Sequence, residues 1–74
     1  MRTIIFGRYE AARIYAKDHG LLPNQWLHAS SRERVMGLDP AHYETVIVGG
    51  ALDEGATEAL REWEFRRKRT GEKP

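Results

Sequence analysis

The sequence predicts an α/β fold, with a small, mainly parallel three-stranded sheet and helices on its faces in the order β-α-β-α-β-α, Rossmann-like in style. Three observations carry this. Short apolar runs recur along the 74-residue chain at Thr3-Ile4-Ile5-Phe6, Trp26-Leu27-His28-Ala29 and Thr45-Val46-Ile47-Val48. Each run stops in small or polar turn residues, Gly7-Arg8, Ser30-Ser31-Arg32 and Gly49-Gly50. A helix-like stretch follows each turn. Strands joined through helices pair in parallel with right-handed crossovers. All three exits then lie along one edge of the sheet, the edge at which open α/β folds bind ligands.

The first and third runs are continuous rather than alternating, which suits strands covered on both faces. We read them as the central strands, with the first between the other two. The shorter Trp26–Ala29 run belongs at an edge. Helix one is expected from about Arg8 to His19, with Ala12, Tyr15 and Ala16 on one face and Ala11 and Ile14 widening it. Gly20 then stands where a left-handed cap residue is expected, Leu21 packs back on the helix, and Pro23 stops any continuation.

The second crossover is short. Ser30 or Ser31 caps a helix over Arg32 to Met36, Gly37 ends it, and Leu38-Asp39-Pro40 forms a turn. Helix three has the clearest period: Leu52, Ala56, Ala59, Leu60 and Trp63 recur at helical spacing. Asp53 and Glu54 stand at its start and basic residues at its end, which complements the helix dipole. Phe65 lies well round the helix from Trp63. Residues 1–69 read as one α/β domain and 70–74 as a frayed tail.

Composition bounds the function. A chain of this length buries only ~60% of the surface its unfolded form exposes. It has no cysteine, so disulfides and thiolate metal sites are excluded. No apolar run approaches the ~18 residues of a membrane span. The opening Met1-Arg2-Thr3-Ile4-Ile5-Phe6 does not have the form of a secretory signal. These features predict a soluble, cytoplasmic protein with no membrane partner. The formal net charge of +1 hides an asymmetry: residues 1–60 hold six Lys/Arg against eight Asp/Glu, and residues 61–74 hold six against three.

Three constellations are candidates for function. Gly7, Arg8, Ser30, Ser31, Arg32, Gly49 and Gly50, at the strand exits, could hold a phosphate or nucleotide against helix N-termini. Neither G-x-G-x-x-G nor a P-loop motif is present, and lone glycines also serve simply to turn the chain. Val46-Ile47-Val48-Gly49-Gly50 resembles the strand of a P-loop ATPase, but glycines occupy the positions of its acidic residues. Arg66, Arg67, Lys68 and Arg69 could neutralise phosphates of a nucleic acid, or simply form a solvated helix end. Trp26, Tyr43 and Phe65, with Tyr9, are large aromatics for so small a core, and aromatics anchor protein interfaces. They could equally close the ends of the core.

No catalytic set is legible. His28 with Ser30 or Ser31 would make a nucleophile–base pair without a third orienting group. His19, His28 and His42 lack metal-ligand spacing, so neither a metal nor a cofactor is expected.

The opening Met1-Arg2-Thr3-Ile4-Ile5-Phe6-Gly7, the Trp26-Leu27-His28-Ala29-Ser30-Ser31 segment and the Val46-Ile47-Val48-Gly49-Gly50 strand give the chain a resemblance to small accessory proteins of actinobacterial bacteriophages. The resemblance is one of style over the full length and brings no catalytic residues. It implies a cytoplasmic protein of an infected cell that acts on a host protein. The sequence therefore points to a non-enzymatic binding module working through protein contacts, with self-association favoured by the small core. Nucleic-acid binding at the basic helix end is the first alternative, and anion binding at the strand exits the second.

Overall fold

Apolar residues at both even and odd positions of Arg2–Phe6 make this strand, β1, a source of side chains for both faces of a sheet. It pairs in parallel with β2 (Trp26–Ala29) on one side and with β3 (Tyr43–Ile47) on the other, giving the order β2-β1-β3. The registers set Ile4 beside Leu27 and Thr45, and Ile5 beside His28 and Val46. The computed structural model describes residues 2–49 and 52–71, the last three by their backbone alone.

The helices divide between the faces. Ile4 and Phe6 point to one side, where they meet Ala29, Val35, Ala59 and Trp63 with Leu27, Leu38, Tyr43 and Leu60 around them. Helix α2 (Arg32–Val35) and helix α3 (Glu54–Gly71) supply that layer. Trp63 is fully buried, tilted against Phe6 at 6.2 Å and edge-on to Tyr43 at 5.7 Å. Its indole Nε1 donates to Thr45 Oγ1 at 2.8 Å, so the one polar atom of the largest core residue is satisfied. Burying such a side chain contributes roughly 3 kcal/mol.

Ile5 points to the other face, against Ala12 and Ala16 of helix α1 (Tyr9–Asp18). Tyr15, Leu21, Trp26, Val46 and Val48 complete this smaller cluster. The alanines have no bulk to hold the helix off, so α1 rests close to the strands. Its end has the expected form: Gly20 has φ of +67°, Gly20 N–H donates to Lys17 O at 3.2 Å, and Leu21 N–H to Ala16 O at 2.8 Å. These two bonds satisfy carbonyls of the last turn and return Leu21 to the core.

Three features differ from the sequence expectation. β3 takes the outer place that the expected order gives it, but it is less covered than its continuous apolar run suggests. Ile47 is accordingly 54% exposed. β3 also begins earlier, at Tyr43, because a 3-10 turn at Pro40–His42 delivers the chain directly into the sheet. A second 3-10 turn at Pro23–Gln25 does the same for β2, closed by Leu22 N–H donating to Gln25 Oε1 at 2.9 Å. Helix α3 continues through Thr70 to Gly71, into the segment read as tail, and residues 72–74 lie outside the described residues. No helix among the described residues is long and apolar enough to cross a membrane.

Candidate functional site

The strand exits converge as parallel pairing requires, and local geometry explains why glycine stands at the first of them. Gly7 is buried with φ of +132°, and a Cβ there would overlap the Val48 carbonyl oxygen. The β1 exit thus lies directly against the β3 exit, where Val48 N–H donates to Phe6 O at 2.8 Å. His28 Nε2 donates to Gly7 O at 2.6 Å, which fixes the proton on Nε2 because a carbonyl can only accept.

The structure brings Gly7, Arg8 and Gly49 to this corner. Arg8 is the N-cap residue of α1, and its side chain makes no capping bond. A shallow groove beside it is lined by Arg8, Tyr9, Glu10, Ala11, Ile14 and Gly49. The other members of the anion constellation go elsewhere. Arg32 turns to α3, its Nε 3.4 Å from Glu62 Oε1. Ser30 O approaches α3, 2.8 Å from where a Cβ on Gly55 would stand. Ser31 is the N-cap residue of α2 without a side-chain bond. Gly50 lies outside the described residues. Glu10, in the first turn of α1 and lining the same groove, opposes an anion here, and Asp53 serves α3 instead, its Oδ1 accepting from Ala56 N–H at 2.7 Å as the helix cap.

The basic run is dispersed around α3. Arg66 is drawn inward: its Nη1 donates to Val35 O at 3.3 Å and Leu38 O at 3.1 Å, and its Nε to Glu62 Oε2 at 3.1 Å. It ties α3 to the end of α2 and to the turn after it. Arg67 Nη1 pairs with Glu64 at 3.0 Å, Lys68 is exposed, and the Arg69 side chain lies outside the described residues. Glu62 was not singled out from sequence, although its spacing from Arg66 is that of a helical ion pair. It gathers Arg32 and Arg66 at one carboxylate.

The three candidate interface aromatics do not form one patch. Trp26 is half-buried on the α1 face of one outer strand, and Tyr43 half-buried on the α3 face of the other. Phe65 is 52% exposed on α3, half a turn from Trp63. What the structure assembles instead is a group across the α1–β2 seam. The Tyr9 ring lies 6.3 Å from Trp26 and 5.4 Å from His28, in the second case edge-on. Tyr9 itself is 54% exposed. Alternation in the β2 sequence puts Trp26 and His28 on one face, but meeting Tyr9 needs the packing of α1, which no local pattern encodes.

Among the described residues no three or more His, Asp or Glu side chains are grouped to hold a metal ion. His19 stacks on Tyr15 at 3.9 Å with its Nδ1 2.9 Å from Tyr15 O, and His42 stands 3.5 Å from Asp39. Comparison with protein-family models, curated proteins and solved structures finds no match to this chain.

Proposed function

We propose that this chain is a non-enzymatic binding module that acts through protein contacts, with the Tyr9–Trp26–His28 seam as the contact surface. The single observation that carries the reading is a large, half-exposed aromatic ring held against two half-buried rings at the α1–β2 seam. Pre-organised aromatics of this kind anchor interfaces, since they bring contact area at little cost in side-chain entropy. The His28–Gly7 bond adds rigidity beneath them. In keeping with the phage accessory resemblance, the partner is a host protein and the place of action the cytoplasm of the infected cell.

The test is affinity capture from the host lysate with wild-type protein and with Tyr9→Ser, which alters an exposed side chain and leaves the core intact. The reading expects a protein retained by the wild type and lost with Tyr9→Ser. Retention of nothing beyond an unrelated control, or equal retention by both, rejects it. A DNA and RNA mobility shift across a salt series addresses the basic helix end. Steeply salt-sensitive binding that is lost with Arg67→Ala and Lys68→Ala would replace the protein-contact reading with a nucleic-acid one.

A further inference from the structure

We infer that the chain pairs with a second copy of itself along the outer edge of β3, antiparallel about a two-fold axis through Thr45. The argument starts from the direction of the backbone groups. Val48 N–H donates inward to Phe6 O. Backbone groups alternate sides along a strand, so Glu44, Val46 and Val48 direct theirs to β1, whereas Tyr43, Thr45 and Ile47 direct theirs outward. Among the described residues no strand lies beyond β3. Tyr43 N–H is taken locally by Pro40 O, which leaves Tyr43 C=O and both groups of Thr45 and Ile47 along the edge.

Ordinary monomers protect such an edge with Lys, Pro, a bulge or brevity. β3 has none of these among its five residues, and its single charge is Glu44. The opposite edge belongs to β2, which is entered from a proline turn as β3 is but has four residues against five, and is the shorter of the two.

The strand is complementary to itself in one register. With the two-fold at Thr45, each Thr45 exchanges both backbone bonds with its copy, and each Ile47 N–H meets Tyr43 C=O of the second copy. The Tyr43 ring then lies opposite Ile47, an aromatic–aliphatic pair that covers the half-exposed Ile47 side chain. Glu44 comes opposite Val46. A slip that puts the axis at Glu44 sets two carboxylates face to face, as does a parallel in-register pair. A slip the other way puts Tyr43 opposite Gly49 and loses that contact. The Thr45 register extends the sheet to six strands, with an α1 layer continuing on one face and an α3 layer on the other.

Sedimentation of the full chain between about 1 and about 300 μM tests this, because a seam this small is expected to dissociate with Kd on the order of 10 μM. The wild type should pass from monomer to dimer over that range. Ile47→Lys, which puts a charge opposite Tyr43 at both symmetric positions, should weaken the dimer at least about tenfold. Ile14→Lys, on exposed α1, should leave it unchanged. The register has its own readout in a chain free of cysteine. Under oxidation Thr45→Cys should form an interchain disulfide, since paired Cα atoms lie about 5.5 Å apart, and Glu44→Cys should not. A wild type that stays monomeric throughout overturns the proposal. So does a dimer indifferent to Ile47→Lys, or a Glu44→Cys disulfide forming in preference to that of Thr45→Cys. The Ile47 variant changes a half-exposed side chain, so the test stands even if Thr45→Cys folds poorly without its bond to Trp63.

Discussion

Arg66→Ala should destabilise the fold by about 2–3 kcal/mol, although residue 66 lies in a run of basic residues that reads as a solvated helix end. The figure is built from its contacts. Two charge-assisted bonds join Nη1 to the carbonyls of Val35 and Leu38. With the side chain partly exposed they contribute about 1 kcal/mol each. The pair with Glu62, also partly exposed, adds about 0.5 kcal/mol. Urea denaturation followed by tryptophan fluorescence reads the loss directly, since Trp63 is fully buried and Trp26 half-buried. For a chain of this size the melting temperature should fall by about 13–19 °C. Arg67→Ala and Lys68→Ala should each stay within about 0.5 kcal/mol of wild type. Arg66→Lys should recover only part of the loss, because an ammonium cannot span two carbonyls and a carboxylate as a guanidinium does. The reasoning is refuted if Arg66→Ala is neutral or stabilising, as relief of repulsion within a solvated basic run would make it.

Gly7→Ala should lose about 3 kcal/mol or more and fail to give a cooperative transition, since both its φ and the Val48 carbonyl exclude a Cβ. Gly20→Ala is the contrast: nothing lies within 4 Å of its added methyl, so only the left-handed backbone resists and the loss should be about 1 kcal/mol, measured by the same denaturation. Asp53→Ala removes the cap of α3 and should cost about 1 kcal/mol, with faster amide exchange at Ala56. Trp63→Phe should cost about 2–3 kcal/mol by thermal melting, from lost volume and the abandoned Thr45 hydroxyl.

Much of the fold was legible because it rests on local signals. The period of Ala56, Ala59, Leu60 and Trp63 marks the buried face of α3, and Gly20 followed by Leu21 marks the end of α1. The parallel order with β1 inside follows from strands separated by helices. The exposure of Ile47 did not show, because Val46-Ile47-Val48 is as apolar as a strand buried on both faces, and which side chains the helices cover is a property of the packed sheet. The candidate sites were harder for the same reason. Arg66 is distinguished from Lys68 only by the carbonyls of Val35 and Leu38, some thirty residues back along the chain. The seam of Tyr9, Trp26 and His28 joins a helix to a strand across an intervening turn. Its members are ordinary residues until packing brings them together.

The central place of β1 has a consequence for assembly during synthesis. Its two edges are claimed by segments made later, first β2 and then β3, and its side chains enter both cores. Until Tyr43–Ile47 has emerged from the ribosome, Ile4, Ile5 and Phe6 have at most one strand beside them. The growing intermediate therefore carries its most apolar strand half-paired, at the rim that β3 later covers. Pairings of high sequence separation close slowly. The interval before β3 docks is thus the period in which the nascent chain is most open to a chaperone or to aggregation.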